Sequence, residues 1–174
     1  MTYQIPDTGE LRMGNIKRFN EEGAVYFVTS VTKNRAVLVR DPKLCRILLI
    51  TIEYHKTVFD YKVYGYCLMP DHIHLLLQPE GEFNLSFIMR MIKGSFARKV
   101  NRLSNQCGSI WQRRFYDEAV RSKEQLYHQL EYMHQNPVAA KLVSSAEEYP
   151  FSSFSQYHGS PNLQGDVLKI DMPE

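Results

Sequence analysis

Two strand-like runs separated by a short breaker constrain this chain more than any other feature. Residues 61–68 alternate aromatic positions with Val63 and Cys67, and residues 72–78 resume an extended, largely apolar run. Between them stands Met69-Pro70-Asp71. Proline presets one turn dihedral and aspartate hydrogen-bonds readily to nearby backbone, so this triplet ends one strand and starts the next. Strands joined by so short a connection pair antiparallel, which predicts a hairpin.

The other elements fall around that hairpin. Residues 24–32 (AVYFVTSVT) are β-branched and aromatic and predict a buried strand. Asp41-Pro42 supplies an N-cap and a proline at the first helical position, and Leu44, Ile47, Leu48, Thr51 and Ile52 continue that helix to about Phe59-Asp60. Asn84 caps a second helix with the apolar stripe Leu85, Ile88, Ile92, Phe96 and Leu103. Residues 110–120 predict a fourth extended segment. Ser122 with Gln125 forms a capping box for a helix ending near Asn136, before Pro137. The order strand, helix, strand, strand, helix, strand predicts an α+β, ferredoxin-like antiparallel sheet with helices on one face, plus an appended C-terminal helix. The opposite sheet face is then available to a nucleic acid strand or an active site. The expected organisation is an N-terminal arm over 1–22, one catalytic domain over 23–143 and a tail over 144–174.

Composition narrows the function classes. An apolar share of 44% and a charged share of 23% in 174 residues suit one globular domain. Cys45, Cys67 and Cys107 lack paired-ligand spacing, which argues against a disulfide framework or a structural zinc site and suits a reducing cytoplasm. No signal-like stretch opens the chain, and the longest apolar run (residues 47–52) is too short to span a bilayer, so no membrane partner is expected. The net charge of +2 decides nothing, but between residues 90 and 121 eight Arg and Lys face only Asp117 and Glu118.

His72-Ile73-His74 is the sharpest chemical signal. Side chains alternate along a strand, so His72 and His74 share a face, about 7 Å apart along the backbone, while Ile73, Leu75 and Leu77 face the core. Two imidazoles so placed can ligate one ion, although spacing alone equally allows two solvated histidines. On the last helix, Leu126, Leu130 and Met133 form the packing stripe. His128, Tyr132 and Asn136 repeat every fourth residue on a different face. A phenol there can attack phosphorus if metal or charge lowers its ordinary pKa of about 10, though with 11 tyrosines in the chain spacing does not select Tyr132.

The segment YCLMPDHIHLLLQP (residues 66–79) resembles the HUH motif of single-tyrosine transposases. MRMIKGSFARKVN (89–101), IWQRRFYDEAVRS (110–122), YMHQNPVAAKLV (132–143) and EYPFSSFSQY (148–157) resemble, in order and spacing, the REP-associated tyrosine transposases. The resemblance spans roughly residues 23–157. It implies that His72 and His74 hold Mg²⁺ or Mn²⁺, that Asn136 adds an amide ligand, and that Tyr132 is the nucleophile forming a 5′-phosphotyrosine link. It also implies a substrate: single-stranded DNA with palindromic hairpins, cut and rejoined without ATP. Family members commonly carry histidine where Glu118 stands, so Glu118 is either a carboxylate near the ion or a bystander, and His128 has no assigned role.

DNA contacts are expected from Lys17 and Arg18 in the arm, Lys93, Arg98 and Arg102 on the second helix, and Trp111, Arg113 and Arg114 on the fourth extended segment. For Trp111, burial in the core is an equal alternative. A chain with a C-terminal tail of this kind suits a monomer acting in cis, whereas minimal relatives form homodimers. The competing function is a non-catalytic ferredoxin-like nucleic-acid-binding protein, which has no use for His72, His74 and Tyr132 together.

Overall fold

The hairpin forms where the breaker places it. In the computed structural model, which describes residues 23–162 and 165–173, strand β2 (Tyr61–Met69) and strand β3 (His72–Pro79) pair antiparallel with Met69 opposite His72 and Cys67 opposite His74. Strand β1 (Val25–Val31) pairs antiparallel with β3, and strand β4 (Tyr116–Val120) with β1. The sheet order β2-β3-β1-β4 is that of the ferredoxin-like pattern. The predicted fourth strand is shorter than residues 110–120. Its first half is loop, joined to the end of β1 by a bridge between Trp111 and Thr32, with Gln112 N donating to Val31 O at 2.9 Å and Lys33 N to Ile110 O at 2.8 Å.

Helices α1 (Pro42–Phe59) and α2 (Leu85–Ser104) cover one sheet face. Asp41 accepts from Lys43 N at 2.8 Å and Asn84 from Phe87 N at 2.9 Å, each satisfying a first-turn donor. Leu48, Ile52, Ile88, Ile92 and Phe96 pack there on Val28, Ile73, Leu75 and Leu77. Leu103, expected in the α2 stripe, is 53% exposed, because Val100 is the last buried position of that helix. None of the helices among the described residues is long and apolar enough to cross a membrane.

The second face is not left open. Helix α3 (Lys123–Ala139) lies on it, with Leu126, Leu130 and Met133 packed on Phe27, Cys67, Met69 and Leu76. The helix runs three residues past Asn136 through Pro137, further than expected. A proline in the last turn removes only one backbone bond, and Ala140 N and Leu142 N close the end on Asn136 O and Pro137 O, both at 2.9 Å.

Beyond α3 the chain folds back along the outer edge of β2. Phe151 O accepts from Leu68 N at 2.9 Å, Ser153 N donates to Tyr66 O at 2.9 Å, and Asp171 N donates to Val63 O at 2.7 Å. Asp171 Oδ2 accepts from Val63 N at 2.8 Å and pairs with Lys56 Nζ at 2.7 Å. Tyr149 and Tyr157 donate to Leu68 O and Tyr64 O, each at 2.6 Å. Backbone groups that an edge strand leaves open are thereby satisfied.

Candidate active site

His72 and His74 point from β3 toward α3, as alternation requires, and both are buried, at 8% and 2% exposure. Their Nε2 atoms are 3.2 Å apart. Each Nδ1 is held from behind: His72 Nδ1 donates to Asp71 Oδ1 at 2.6 Å, and His74 Nδ1 lies 2.9 Å from Thr29 Oγ1. Thr29 is the cross-strand neighbour of His74, so it shares the same face. Phe27, next but one along β1, stacks on His74 with ring centroids 5.2 Å apart and planes at 20°.

Burial drives the histidines toward the neutral form. For His72 desolvation lowers the pKa, with Asp71 opposing and Arg35 adding to the effect. For His74 desolvation, then the neighbouring His72, lowers it well below the ordinary value. For Asp71, burial works against ionisation, but hydrogen bonds from His72 and Arg35 outweigh it and hold the carboxyl below its usual range. Neutral imidazoles are the form that ligates metals.

The nucleophile candidate meets this pair from α3. The Tyr132 ring packs edge-on to His74 at 5.8 Å and to Phe27 at 5.9 Å between centroids. Asn136, one turn on, is half-buried, and its Nδ2 donates to Tyr132 O at 2.8 Å. That leaves the amide oxygen as the atom able to act as a ligand.

The donor set fits a divalent ion. With metal–imidazole bonds of about 2.1 Å, nitrogens 3.2 Å apart subtend roughly a right angle at a shared ion, as neighbouring ligands do. Among the described residues no group of three or more His, Cys, Asp or Glu forms a closed cage. Two imidazoles fill only part of a coordination shell, and the rest would fall to amide, water or substrate oxygen.

The remaining predicted positions separate. Glu118 is on the histidine-facing side of β4 but opposite Phe27 rather than Thr29. Its Oε2 accepts from Tyr116 at 3.2 Å and its Oε1 from Gln125 Nε2 at 3.0 Å, so it joins β4 to α3. His128 is exposed on α3. Lys93, Arg98 and Arg102 belong to α2, in the layer across the sheet from the histidines. Arg98 Nη2 donates to Ser95 Oγ at 3.0 Å, and Arg102 is exposed. Lys93 Nζ donates to Gln112 O at 2.8 Å and lies with Arg113 in a cleft of about 380 Å³ between α2 and residues 109–115. Arg114 is exposed next to that cleft, its carbonyl 3.4 Å from Lys93 Nζ. Trp111 is a core residue, 4% exposed and packed on Phe96, and so is not placed to stack on a base. Lys17 and Arg18 lie outside the described residues.

Three residues that bear on the site were missed in the sequence. Thr29 needed the β1–β3 register, Arg35 the contact between two loops, and Asp71 was read only as a turn residue. A fourth, His134, is buried on α3 and makes a 2.9 Å bond from Nε2 to Ser153 Oγ of the returning segment.

Comparison with known proteins bears on the family and the fold. The model of the family "Transposase IS200 like" matches residues 22–136. A Haemophilus influenzae protein named for the REP-associated tyrosine transposases is 29% identical over 179 residues, covering 89% of this chain and all of the relative. The REP-associated tyrosine transposase of Escherichia coli K12 is 27% identical over 147 residues, covering 82% and 83% respectively. A solved structure of a REP-associated tyrosine transposase bound to a REP hairpin superposes with a TM-score of 0.71 at 25% identity, covering 93% of this chain and 98% of that one.

Proposed function

The chain belongs to the IS200-like transposase family, and from that premise we propose that it is a metal-dependent endonuclease and strand transferase acting on single-stranded, hairpin-bearing DNA. The observation that carries the reading is the juxtaposition on one buried face of two Nε2 atoms 3.2 Å apart and the ring of Tyr132 packed against His74.

In this reading Tyr132 attacks the scissile phosphorus through its phenolic oxygen. The bond from phosphorus to the 3′ oxygen breaks, the phenolic proton is released to solvent or a base, and a 3′-hydroxyl departs. The 5′ phosphate stays on Tyr132, and attack by a 3′-hydroxyl reverses the step, so the energy of the phosphodiester is kept. His72, His74 and Asn136 would hold Mg²⁺ or Mn²⁺, which would supply Lewis-acid polarisation of the phosphate. Phe27 fixes the plane of His74 and the seat of Tyr132 together. The substrate class is taken from the solved relative, which is bound to a REP hairpin. Tyr132 and the histidines meet within one chain, which supports a monomer acting in cis. The free cysteines Cys45, Cys67 and Cys107 suit action in the cytoplasm.

The test is a labelled single-stranded hairpin oligonucleotide incubated with the protein and Mn²⁺, then resolved on a denaturing gel. A protein–DNA adduct is expected from the wild type and is lost in Tyr132→Phe, which keeps the ring contacts. An adduct that persists in Tyr132→Phe assigns the nucleophile elsewhere. Hairpin binding with no cleavage in any divalent metal favours a non-catalytic binding protein.

A further inference from the structure

The two histidines are held from behind by chemically different groups, and the difference assigns them different duties. Asp71 is ionised and can only accept, so its 2.6 Å contact fixes the proton of His72 on Nδ1 and turns the Nε2 lone pair inward. Asp71 is itself held at both its carbonyl and its carboxylate. Thr32 N donates to its carbonyl at 2.8 Å, the Thr32 hydroxyl is shared between that carbonyl at 2.9 Å and Ala36 O at 2.8 Å, and Arg35 Nη1 grips the other carboxylate oxygen at 2.9 Å. Asp71 touches His72 on the ring edge opposite Nε2, so it cannot reach an ion held between the two Nε2 atoms. It is a positioning residue.

Behind His74 stands a hydroxyl, which can donate or accept. With the His72 Nε2 unprotonated, the 3.2 Å contact between the Nε2 atoms is a hydrogen bond only if His74 carries its proton on Nε2. His74 Nδ1 then accepts from Thr29 Oγ1. A cation entering between the rings requires both Nε2 lone pairs. The His74 proton must move to Nδ1, and Thr29 turns from donor to acceptor with no change in proton count.

We propose that Asp71, anchored by Arg35 and Thr32, presets His72 as a metal ligand, and that Thr29 lets His74 change tautomer as the ion binds. This rests on the metal reading given above. Partners behind a metal-bound histidine that fix its tautomer change metal affinity by roughly 10- to 100-fold when removed.

Two measurements on the full, DNA-free chain decide it. Nitrogen-detected NMR of the imidazoles should show His72 as the Nδ1–H tautomer with and without Mg²⁺, and His74 changing from Nε2–H to Nδ1–H as Mg²⁺ is added. Titration calorimetry with Mn²⁺ should show roughly 10- to 100-fold weaker binding for Asp71→Asn, and weaker binding for Thr29→Val than for Thr29→Ser. A merely structural Asp71 lowers the melting temperature but leaves Mn²⁺ affinity within twofold of wild type, and that result overturns the proposal while sparing the metal reading. An Nε2–H tautomer at His72 in the wild type overturns it even if the Asp71 variant does not fold. A wild-type protein that binds neither ion overturns the metal reading itself.

Discussion

Gly65 on β2 faces Leu130 on α3 so closely that a Cβ at position 65 would lie 2.5 Å from Leu130 Cδ2 and 3.3 Å from Met133 Sδ. The pairing of β2 with β3 is irregular between Val63 and Gly65, so the strand bends where the helix comes nearest. Tyr132 lies between Leu130 and Met133 in sequence, and the missing side chain at position 65 thus sets how deeply α3 sits.

Gly65→Ala is therefore expected to push α3 outward. Overpacking of this kind costs about 1–3 kcal/mol, read from urea denaturation midpoints. Adduct formation should fall by more than hairpin binding does. Leu130→Ala in the same chain should restore part of both losses, and strict additivity of the two substitutions would argue against the contact.

His72→Ala and His74→Ala each remove half of the nitrogen pair. Cleavage should drop at least about 100-fold, in line with loss of electrostatic stabilisation at a transition state. Hairpin affinity, measured by gel shift without metal, should change little if DNA is held by the basic residues expected to contact it, none of which belongs to the pair. A parallel collapse of binding would place the DNA directly on the imidazoles.

His134 makes stability pH-dependent. Burial, then the charge of His158, lowers its pKa from the ordinary 6.5 to about 4. Above pH 6.5 it is neutral in both folded and unfolded chains. As pH falls through 6.5 the unfolded chain takes up a proton that the folded one refuses, so stability declines until about pH 4. The largest loss attributable to this group is roughly 3 kcal/mol. Denaturation at pH 7.5 and pH 5 should show a shallower decline in His134→Gln. Equal slopes in the two proteins would assign the acid sensitivity to His72 and His74, whose values are also lowered.

The returning segment guards the β2 edge. Ending the chain at Gly159 removes Asp171, which takes both backbone groups of Val63, and Leu168, which is fully buried. The shortened protein is expected to self-associate through that strand, seen as an earlier peak in size-exclusion chromatography at higher concentration. Asp171→Ala should do the same more weakly, with a loss of about 1–2 kcal/mol, because Val63 N–H loses its acceptor and Lys56 keeps only its bond to Lys169 O. A truncated chain that stays monomeric at all concentrations would deny the edge its guarding role.

Much of this was written locally in the chain. The hairpin and the shared face of His72 and His74 follow from strand alternation, and the off-stripe position of Tyr132 from the helical period. What escaped depends on register or on distant packing. Thr29 is an ordinary strand threonine until β1 is known to lie beside β3. Trp111 and Lys93 looked alike as DNA-facing residues, yet the indole is in the core, while the ammonium bridges to a loop carbonyl. Pro137 reads as a terminator, but at the end of a helix its missing N–H costs a single bond, so α3 continues to Ala139.

The turn at Pro70-Asp71 bears on the time course of folding. A hairpin closed by a two-residue connection forms in about 1–10 μs and needs little loop entropy. Asp71, His72 and His74 are contiguous with that turn, whereas Tyr132 arrives only after the second helix, β4 and α3 have been laid down. The hairpin alone thus brings His72 and His74 onto one face, whereas their contact with Tyr132 waits on α3 packing across the sheet.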